Sequence, residues 1–418
     1  MRTCPLMRMP KLVRSILSLC ALSLLALNLL QAQAQAQAQA QIQTNTQPSL
    51  LNNGFSLETM LKDLPLSWAV AVAPDNSIFI THRAGNISRV VPIKSNGEVT
   101  YQSSVIKFKP DDLLVGGQGG LLDIIFHPEF SVNGWIYVSY SARKEKGNIV
   151  KVVRFTLDKT VVSQLETIFE LATIKSTPVH YGGRLAFSAD NALLLSSGDG
   201  FDYREQAQVI DSHLGKILRM DDQGNAHPSN PYYSQGGNAA YVLSRGHRNP
   251  QGLVVINTQT DGQMVVAHEH GPAGGDEVNI IKSGINYGWP VVTNGKDYSG
   301  ASISPFKAYP NMQLPDLDWT PSIAPSGMTY YFYDDMHSLY DDTHSLNKNT
   351  SLQGKLLITS LKFKQIYAID VSGSMFGHES ILLREPVVRL RDIETDNVGT
   401  VWVLSDGEPA SVYQLKSN

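Results

Sequence analysis

The chemistry-bearing residues of this chain gather in short glycine-rich segments, and the densest runs from Val266 to Pro290, VAHEHGPAGGDEVNIIKSGINYGWP. Met264 to His268 is apolar and β-prone, so it reads as a strand that ends in a glycine-rich loop. Gly271, Gly274 and Gly275 permit backbone angles that turn main-chain carbonyls into a cavity, and a hard cation such as calcium takes such oxygens. Glu277, with the Tyr287 region returned by the Gly284 turn, would add oxygen ligands. The competing reading leaves Asp276 and Glu277 to solvate a loop. His268 and His270 lie two apart and share one strand face, which raises a transition-metal reading. No third ligand is evident, and a polar pocket wall accounts for them better than zinc.

Four other segments carry groups with no simple packing excuse. In Gly116-Gly117-Gln118-Gly119-Gly120 a tight turn explains the glycines but not the glutamine. In Val179-His180-Tyr181-Gly182-Gly183-Arg184 a histidine directly precedes a strand; a neutral imidazole at a pocket mouth suits a general base, although a lone histidine is more often structural or solvated. In Gly246-His247-Arg248-Asn249-Pro250-Gln251-Gly252, Arg248 can stabilise charge developing on an oxygen and Asn249 can orient a carbonyl or hydroxyl. Arg389 and Arg391 alternate with Leu390, so on a strand both guanidinium groups face one side and together suit a multiply anionic ligand. A solvated edge held by Asp392 is the bland reading of that pair. Lys362, after LLITSL, is ambiguous by itself.

The elements that must position these groups form a loose repeat: an apolar β-run, a turn rich in Pro, Asp, Asn or Gly, and a second β-run. It begins at Trp68, Leu121, Arg184 and Gly252, returns around MTYYFYDD and LQGKLLITSLKFKQIYAID, and ends with IETDNVGTVWVLSDGEPASVYQL. About six such units predict an all-β fold, a six-bladed β-propeller of four-stranded antiparallel blades, each unit forming the inner strands of one blade. A double β-sandwich is the alternative. In a propeller the loops at one end of the central channel converge, so distant residues can build one pocket.

Composition agrees with that class. Hydrophobic residues make up 42% of the 418 and charged residues 17%, enough for a sizeable core, and 33 glycines and 21 prolines favour many turns. Arg2, Arg8, Lys11 and Arg14 precede the apolar run Ile16 to Leu30 and a Gln-Ala tract, the layout of a secretory signal peptide. The expected organisation is a signal and the start of a low-complexity leader at 1–41, a flexible leader at 42–54, and one catalytic propeller at 55–418, periplasmic or secreted, with no stable membrane insertion once the signal is removed. Both cysteines, Cys4 and Cys20, fall in the signal, so a mature chain would have no disulfide or thiolate chemistry. Removing the four N-terminal positive charges takes the balance from 34 against 38 to 30 against 38, a mildly acidic surface that argues against nucleic acid as partner.

Taken in order, GGQGGLLDIIFHPEF, HYGGRLAF, LGKILRM, GHRNPQG, HEHGPAGGDEVNIIKSGINYGWP, PSIAPSGM and RLRDI resemble the pyrroloquinoline quinone (PQQ)-dependent soluble sugar dehydrogenases, in particular the aldose sugar dehydrogenase branch. The resemblance runs from about Leu66 to the C-terminus. It implies a six-bladed propeller holding the quinone over the channel mouth with calcium. His180 matches the general base that takes the proton of the sugar's anomeric hydroxyl while hydride passes to the quinone C5, giving a lactone. Arg248 matches the arginine beside the reduced carbonyl, and Asn249 its neighbouring cofactor contact. Gln118, Lys362, Arg389 and Arg391 match residues that hold the quinone and its carboxylates. Gly271 and Pro272 match main-chain ligands of the calcium bridging to the cofactor, and Glu277 and Tyr287 match ligands of a second, structural calcium. The implied partners are an aldose and an electron acceptor of unspecified identity.

The chain departs from the pattern in two places. Val179 precedes His180 where some glucose-specific relatives carry an aspartate that would orient it, so another group would position the base. The stretch Asp334 to Thr350 is longer and more polar than the pattern leads one to expect. A propeller kept as a non-catalytic binding protein and a calcium-dependent propeller lactonase or hydrolase are the competing functions; the latter expects acidic side chains converging on the ion.

Overall fold

The structure, a computed structural model, describes residues 54–95, 98–258, 262–332, 349–383 and 388–417. The segment read as an export signal, the leader up to residue 53 and most of the stretch Asp334 to Thr350 lie outside them. The first described strand, β1 (Phe55–Leu64), belongs to the last sheet of the fold; five sheets intervene along the chain.

Each of the six sheets opens with the hairpin that the sequence repeat marks. These are β2–β3 (Ser67–Val72 and Ile78–His82), β6–β7 (Leu121–Phe126 and Ile136–Lys144) and β10–β11 (Gly182–Phe187 and Leu193–Ser197). They continue as β14–β15 (Pro250–Thr258 and Gly262–Glu269), β18–β19 (Pro325–Tyr331 and Lys355–Ser360) and β22–β23 (Arg389–Thr395 and Val401–Asp406). The first strands of successive hairpins pack against one another in a ring, and the strand after β23 closes it: β24 (Ala410–Ser417) pairs antiparallel with β1 from Phe55–Ser417 to Leu64–Ala410. The result is a six-bladed propeller of four-stranded antiparallel blades, its ring closed by a sheet that joins both ends of the described chain.

Local sequence explains this arrangement. Ile78–Ile80, Leu193–Leu195 and Leu356–Ile358 are continuous apolar runs, buried because a neighbouring blade covers each face of an inner strand. Outer strands such as β9 (Val161–Glu170) are largely exposed. The connecting turns use the residues that tolerate them: Asn76 and Asn191 adopt φ +61° and +59°, and the Asp75 side chain accepts from the Ser77 N–H at 3.0 Å.

Where the six first strands meet, the core is ionic. Arg184 on β10 donates to the Gln251 carbonyl (2.7 Å), to Asp123 Oδ1 (3.2 Å), to the Ser326 carbonyl (3.2 Å) and to Asp392 Oδ1 (2.7 Å). Asp392 Oδ2 in turn accepts from the Val70 N–H at 2.9 Å, and Asp123 Oδ2 from the Leu185 N–H at 2.8 Å. One guanidinium and two carboxylates therefore tie together the first strands of all six blades. Burial alone would lower the Arg184 pKa, but Asp392 and Asp123 hold it above its ordinary value, so the charge persists inside the protein.

Removing one partner of such a network leaves a buried charge uncompensated. Arg184→Met is expected to lower the unfolding free energy by about 3–5 kcal/mol, read from denaturant midpoints at constant slope; a loss under about 1 kcal/mol would deny the network its structural role.

Candidate active site at the channel mouth

Antiparallel register decides which groups meet at the mouth. Gly182 pairs with Ser197, Pro250 with Glu269 and Arg389 with Asp406, so whatever precedes the first strand of a hairpin stands beside whatever follows the second. His180 is thus brought to Asp199, Arg248 to His270, and Arg389 to Asp406.

His180 is 6% exposed and sits at φ +52°, a left-handed conformation that costs a non-glycine residue about 1–3 kcal/mol and persists only when its surroundings impose it. The surroundings do so. Its backbone N–H donates to Gln118 Oε1 at 2.8 Å, and the Gln118 N–H donates to the Pro178 carbonyl at 2.9 Å. Its Nδ1 lies 2.7 Å from Asp199 Oδ1, while Asp199 Oδ2 accepts from Trp289 Nε1 at 2.8 Å. The Phe201 ring stands edge-on to the imidazole with centroids 5.1 Å apart. A carboxylate on Nδ1 keeps the hydrogen there and leaves Nε2 as the proton acceptor. Burial is the largest influence on the His180 pKa and lowers it; Asp199 opposes that shift, and Arg248 and Lys175 add to it, so the imidazole is neutral at neutral pH.

Arg248 and Asn249 are held from behind by Glu269, whose carboxylate accepts from both backbone N–H groups and pairs with His247 Nδ1 at 3.0 Å. The Arg248 guanidinium donates to the His270 and Gly271 carbonyls at 2.9 and 2.7 Å and lies beside the Trp289 and Tyr298 rings. His180, Asp199, Arg248, Phe201 and Tyr298 border a cavity of about 190 Å³ that also reaches Pro272. A second cavity of about 210 Å³ adjoins it, lined by Gln118, Asn249, Arg389, Arg391, Arg83 and Trp68 among others.

The charge of that second cavity is positive. Arg389 and Arg391 both line it, as their alternation predicts, with Asp406 on the Arg389 Nε at 2.8 Å and Gln251 Oε1 on an Arg391 amine at 2.8 Å. Asp392 is not their counter-ion: it faces Arg184 and is buried, so the solvated-edge reading fails. Trp68 forms the floor, with the Arg184 and Arg391 guanidinium carbons 4.2 and 4.7 Å from its ring. The buried Nε of Arg391 has no hydrogen-bond partner, and burial followed by Arg184 pushes its pKa down to about 10, still charged at neutral pH. A cavity lined by Arg83, Arg389 and Arg391 fits a polyanionic cofactor such as PQQ.

The metal candidates divide. Gly271 and Pro272 offer carbonyl oxygens at the mouth, and their present donors are an Arg248 nitrogen and the Ser322 hydroxyl at 3.4 Å; hard oxygens suit calcium. Glu277 lies elsewhere in blade four. Burial, then Glu269, Asp318 and Asp276, push its pKa well above the usual carboxyl range, and the buried Asn279 Oδ1 has no partner, a donor set that also fits a hard cation. The Tyr287 hydroxyl is consumed locally, donating to the Ile280 carbonyl at 2.6 Å and accepting from the Lys282 N–H at 2.8 Å, so only its main chain is left to ligate. Among the described residues, no group of three His, Cys, Asp or Glu side chains is placed to hold an ion. His268 is buried near the end of β15, and His270 lies just beyond the strand, where its Nε2 donates to the Pro325 carbonyl at 2.7 Å, while Glu269 meets His247. Lys362 follows Leu361 at the cavity rim, but its own side chain is exposed over the Phe363 ring.

Sequence reasoning missed Asp199, Glu269 as a backbone clamp, and Arg83, which lines the positive cavity and donates to the Gly117 and Gly119 carbonyls at 2.6 and 2.7 Å. Asp199 sits in the Gly198-Asp199-Gly200 turn just beyond β11; a hairpin reading of the third repeat puts that turn beside His180, and this signal was present in the chain.

A six-bladed propeller with a histidine–aspartate pair, a clamped arginine and a positive cavity at one channel mouth is the form of a ring-shaped redox or hydrolytic enzyme. Comparison narrows the class: residues 64–414 match the model of the glucose/sorbosone dehydrogenase family, and the chain belongs to that family. It is 33% identical over 366 residues to an aldose sugar dehydrogenase of Escherichia coli (strain K12), covering 86% of this chain and 92% of that one. It is 31% identical over 291 residues to quinoprotein glucose dehydrogenase B of Acinetobacter calcoaceticus, covering 64% and 59%. The apo crystal structure of the soluble aldose sugar dehydrogenase from Escherichia coli superposes with a TM-score of 0.75 at 30% identity, over 87% of this chain and 100% of that one.

Asp199→Asn removes a charge that raises the His180 pKa, so the pKa falls further. The acid limb of the rate profile is expected to move to lower pH while kcat drops by about 100- to 10,000-fold through loss of the correct tautomer. An acid limb that moved to higher pH would contradict the assignment.

Proposed function

We propose that the protein is a PQQ-dependent aldose sugar dehydrogenase that oxidises its substrate at the anomeric carbon to the lactone. The observation that carries this reading is the buried, neutral His180, paired with Asp199 and sharing one mouth with an arginine-lined cavity. Gln118, Asn249, Arg389 and Arg391 would hold the quinone, with Lys362 at the rim, and Gly271 and Pro272 would supply carbonyl ligands to a bridging calcium. Glu277 and the Tyr287 main chain would serve a second, structural calcium. When bound, the quinone would supply the electron sink for the hydride leaving the anomeric carbon. His180 Nε2 takes the proton of the anomeric hydroxyl, and the Asp199 carboxylate stabilises the imidazolium that forms. Arg248 would stabilise negative charge developing on a carbonyl oxygen in that water-poor setting.

The names of the two dehydrogenase relatives support the substrate class, and the quinoprotein name supports the cofactor. The N-terminal charge-then-apolar pattern supports a periplasmic or secreted site of action, with the propeller from residue 55 as the catalytic unit. Among the described residues no helix is long and apolar enough to cross a membrane. The lactonase reading expects carboxylates converging on an ion; the second cavity instead gathers Arg83, Arg389 and Arg391 with Gln118, Asn249 and Gln251, its one carboxylate, Asp406, being paired with Arg389.

Purified protein is expected to oxidise members of an aldose panel, followed with a redox dye, only when quinone and calcium are both added. His180→Gln should cut turnover by about 100- to 10,000-fold while quinone affinity, measured by fluorescence titration, changes little. Near-normal rates in that variant would remove His180 as the base, and quinone binding without any sugar oxidation would remove the substrate class.

A further inference from the structure

The proton transfer just described leaves one buried amine beside it without a task, its pKa pushed down to about 7 by burial. Lys175 is 2% exposed, and its backbone is anchored to Asn148, whose N–H and side-chain amide donate to the Lys175 carbonyl at 2.8 and 3.0 Å. From there its side chain runs beneath the loop that carries His180. Nζ donates to the Thr177 carbonyl at 2.6 Å and to the Val179 carbonyl at 2.8 Å, and it stands 3.6 Å from the centroid of the Tyr181 ring. A Cβ added to Gly200 would come within 2.7 Å of Lys175 Cδ, so the same stem packs against the turn that carries Asp199.

The Val179 carbonyl and the His180 N–H belong to one peptide plane. Lys175 Nζ holds its oxygen and Gln118 Oε1 holds its hydrogen, both at 2.8 Å. Rotation of that plane is what would release His180 from φ +52° and swing the imidazole away from Asp199. A methionine or leucine would fill the groove without the cost of burying a polar amine. What the amine adds is two directional bonds to the carbonyls on either side of Pro178.

We propose that Lys175 is a positioning residue for His180, fixing the Val179–His180 peptide plane from the side opposite Gln118 and thereby setting the rate of proton removal rather than the binding of sugar. This rests on the reading of His180 as the base.

The test uses the full chain loaded with quinone and calcium. Lys175→Met, which keeps the bulk and loses both donors, is expected to lower kcat by about 10- to 100-fold with the sugar KM and quinone affinity within about threefold of the parent. Lys175→Arg, which keeps the donors, is expected to recover most of the rate, and Lys175→Gln, whose shorter side chain carries its two N–H donors in a fixed plane, to fall between; if the methionine variant does not fold, the glutamine variant carries the comparison. A second readout needs no turnover: in unloaded protein the downfield Nδ1–H resonance of the His180–Asp199 hydrogen bond, assigned by its loss in His180→Gln, should weaken or vanish in Lys175→Met and persist in Lys175→Arg. An unchanged kcat together with an unchanged resonance overturns the proposal. So does a methionine variant in which KM, quinone affinity and melting temperature worsen together with the resonance intact, because that is merely structural damage. If the loaded parent oxidises no aldose, the functional reading fails, and the resonance still decides the role of Lys175.

Discussion

The Arg184 guanidinium, buried between Asp123 and Asp392, is the interaction on which the rest of the propeller depends. A ring of six sheets has a natural void where its first strands converge, and backbone groups in that void need partners. Filling it with a guanidinium satisfies the Gln251 and Ser326 carbonyls directly and the Val70 and Leu185 N–H groups through the two carboxylates. An apolar plug would leave those groups unpaired. The geometry therefore makes a buried ionic network favourable here, in contrast to the many buried pairs that hydrophobic side chains can replace.

The same plug divides the channel. The mouth cavity touches the first residues of the inner strands, Ser67, Gly182 and Arg389, whereas another cavity of about 330 Å³ touches their far halves, at Val72, Leu253 and Glu394. At that far end burial, then Asp392 and Asp123, raise the Glu394 pKa to about 8, so it carries a proton at neutral pH. The positive cavity at the mouth gathers Arg83, Arg389 and Arg391, and the far cavity Asp123, Asp392 and Glu394, with Arg184 at its inner wall. Trp68 transmits the plug to the mouth, lying against both Arg184 and Arg391. A substitution at the plug is therefore felt at the floor of the positive cavity.

Much of this was legible in the chain, for a physical reason. Inner strands covered on both faces must be continuously apolar, and their turns must use Asn, Asp and Gly, so the six hairpins stand out even though the outer strands do not. Arg389 and Arg391 were readable as a pair because a two-residue spacing on a strand points both to one side, and both line the same cavity. The partnership of His180 with Asp199 was not read, because it depends on pairing the two open ends of one hairpin rather than on local spacing. Asp392 misled for the opposite reason: its neighbour in sequence is Arg391, but a register shift between Leu390 and Asp392 turns it inward to Arg184. Tyr287 shows a further limit, since residue type cannot say that its hydroxyl is already used by the main chain of Ile280 and Lys282.

The strain at His180 shows how the site and the scaffold constrain each other. Close approach of backbone to the base loop demands glycine at two points: a Cβ on Gly117 would meet the Pro178 carbonyl at 2.3 Å, and one on Gly198 the His180 carbonyl at 2.3 Å. Those glycines belong to blades two and three, so the imidazole is placed by a contact between neighbouring blades. A loop bearing a histidine in an unfavourable conformation would relax if either blade moved. The closed ring, held at its centre by Arg184 and at its seam by β1 and β24, keeps the loop from relaxing, which is how a fold built from repeated hairpins presents a base in one orientation.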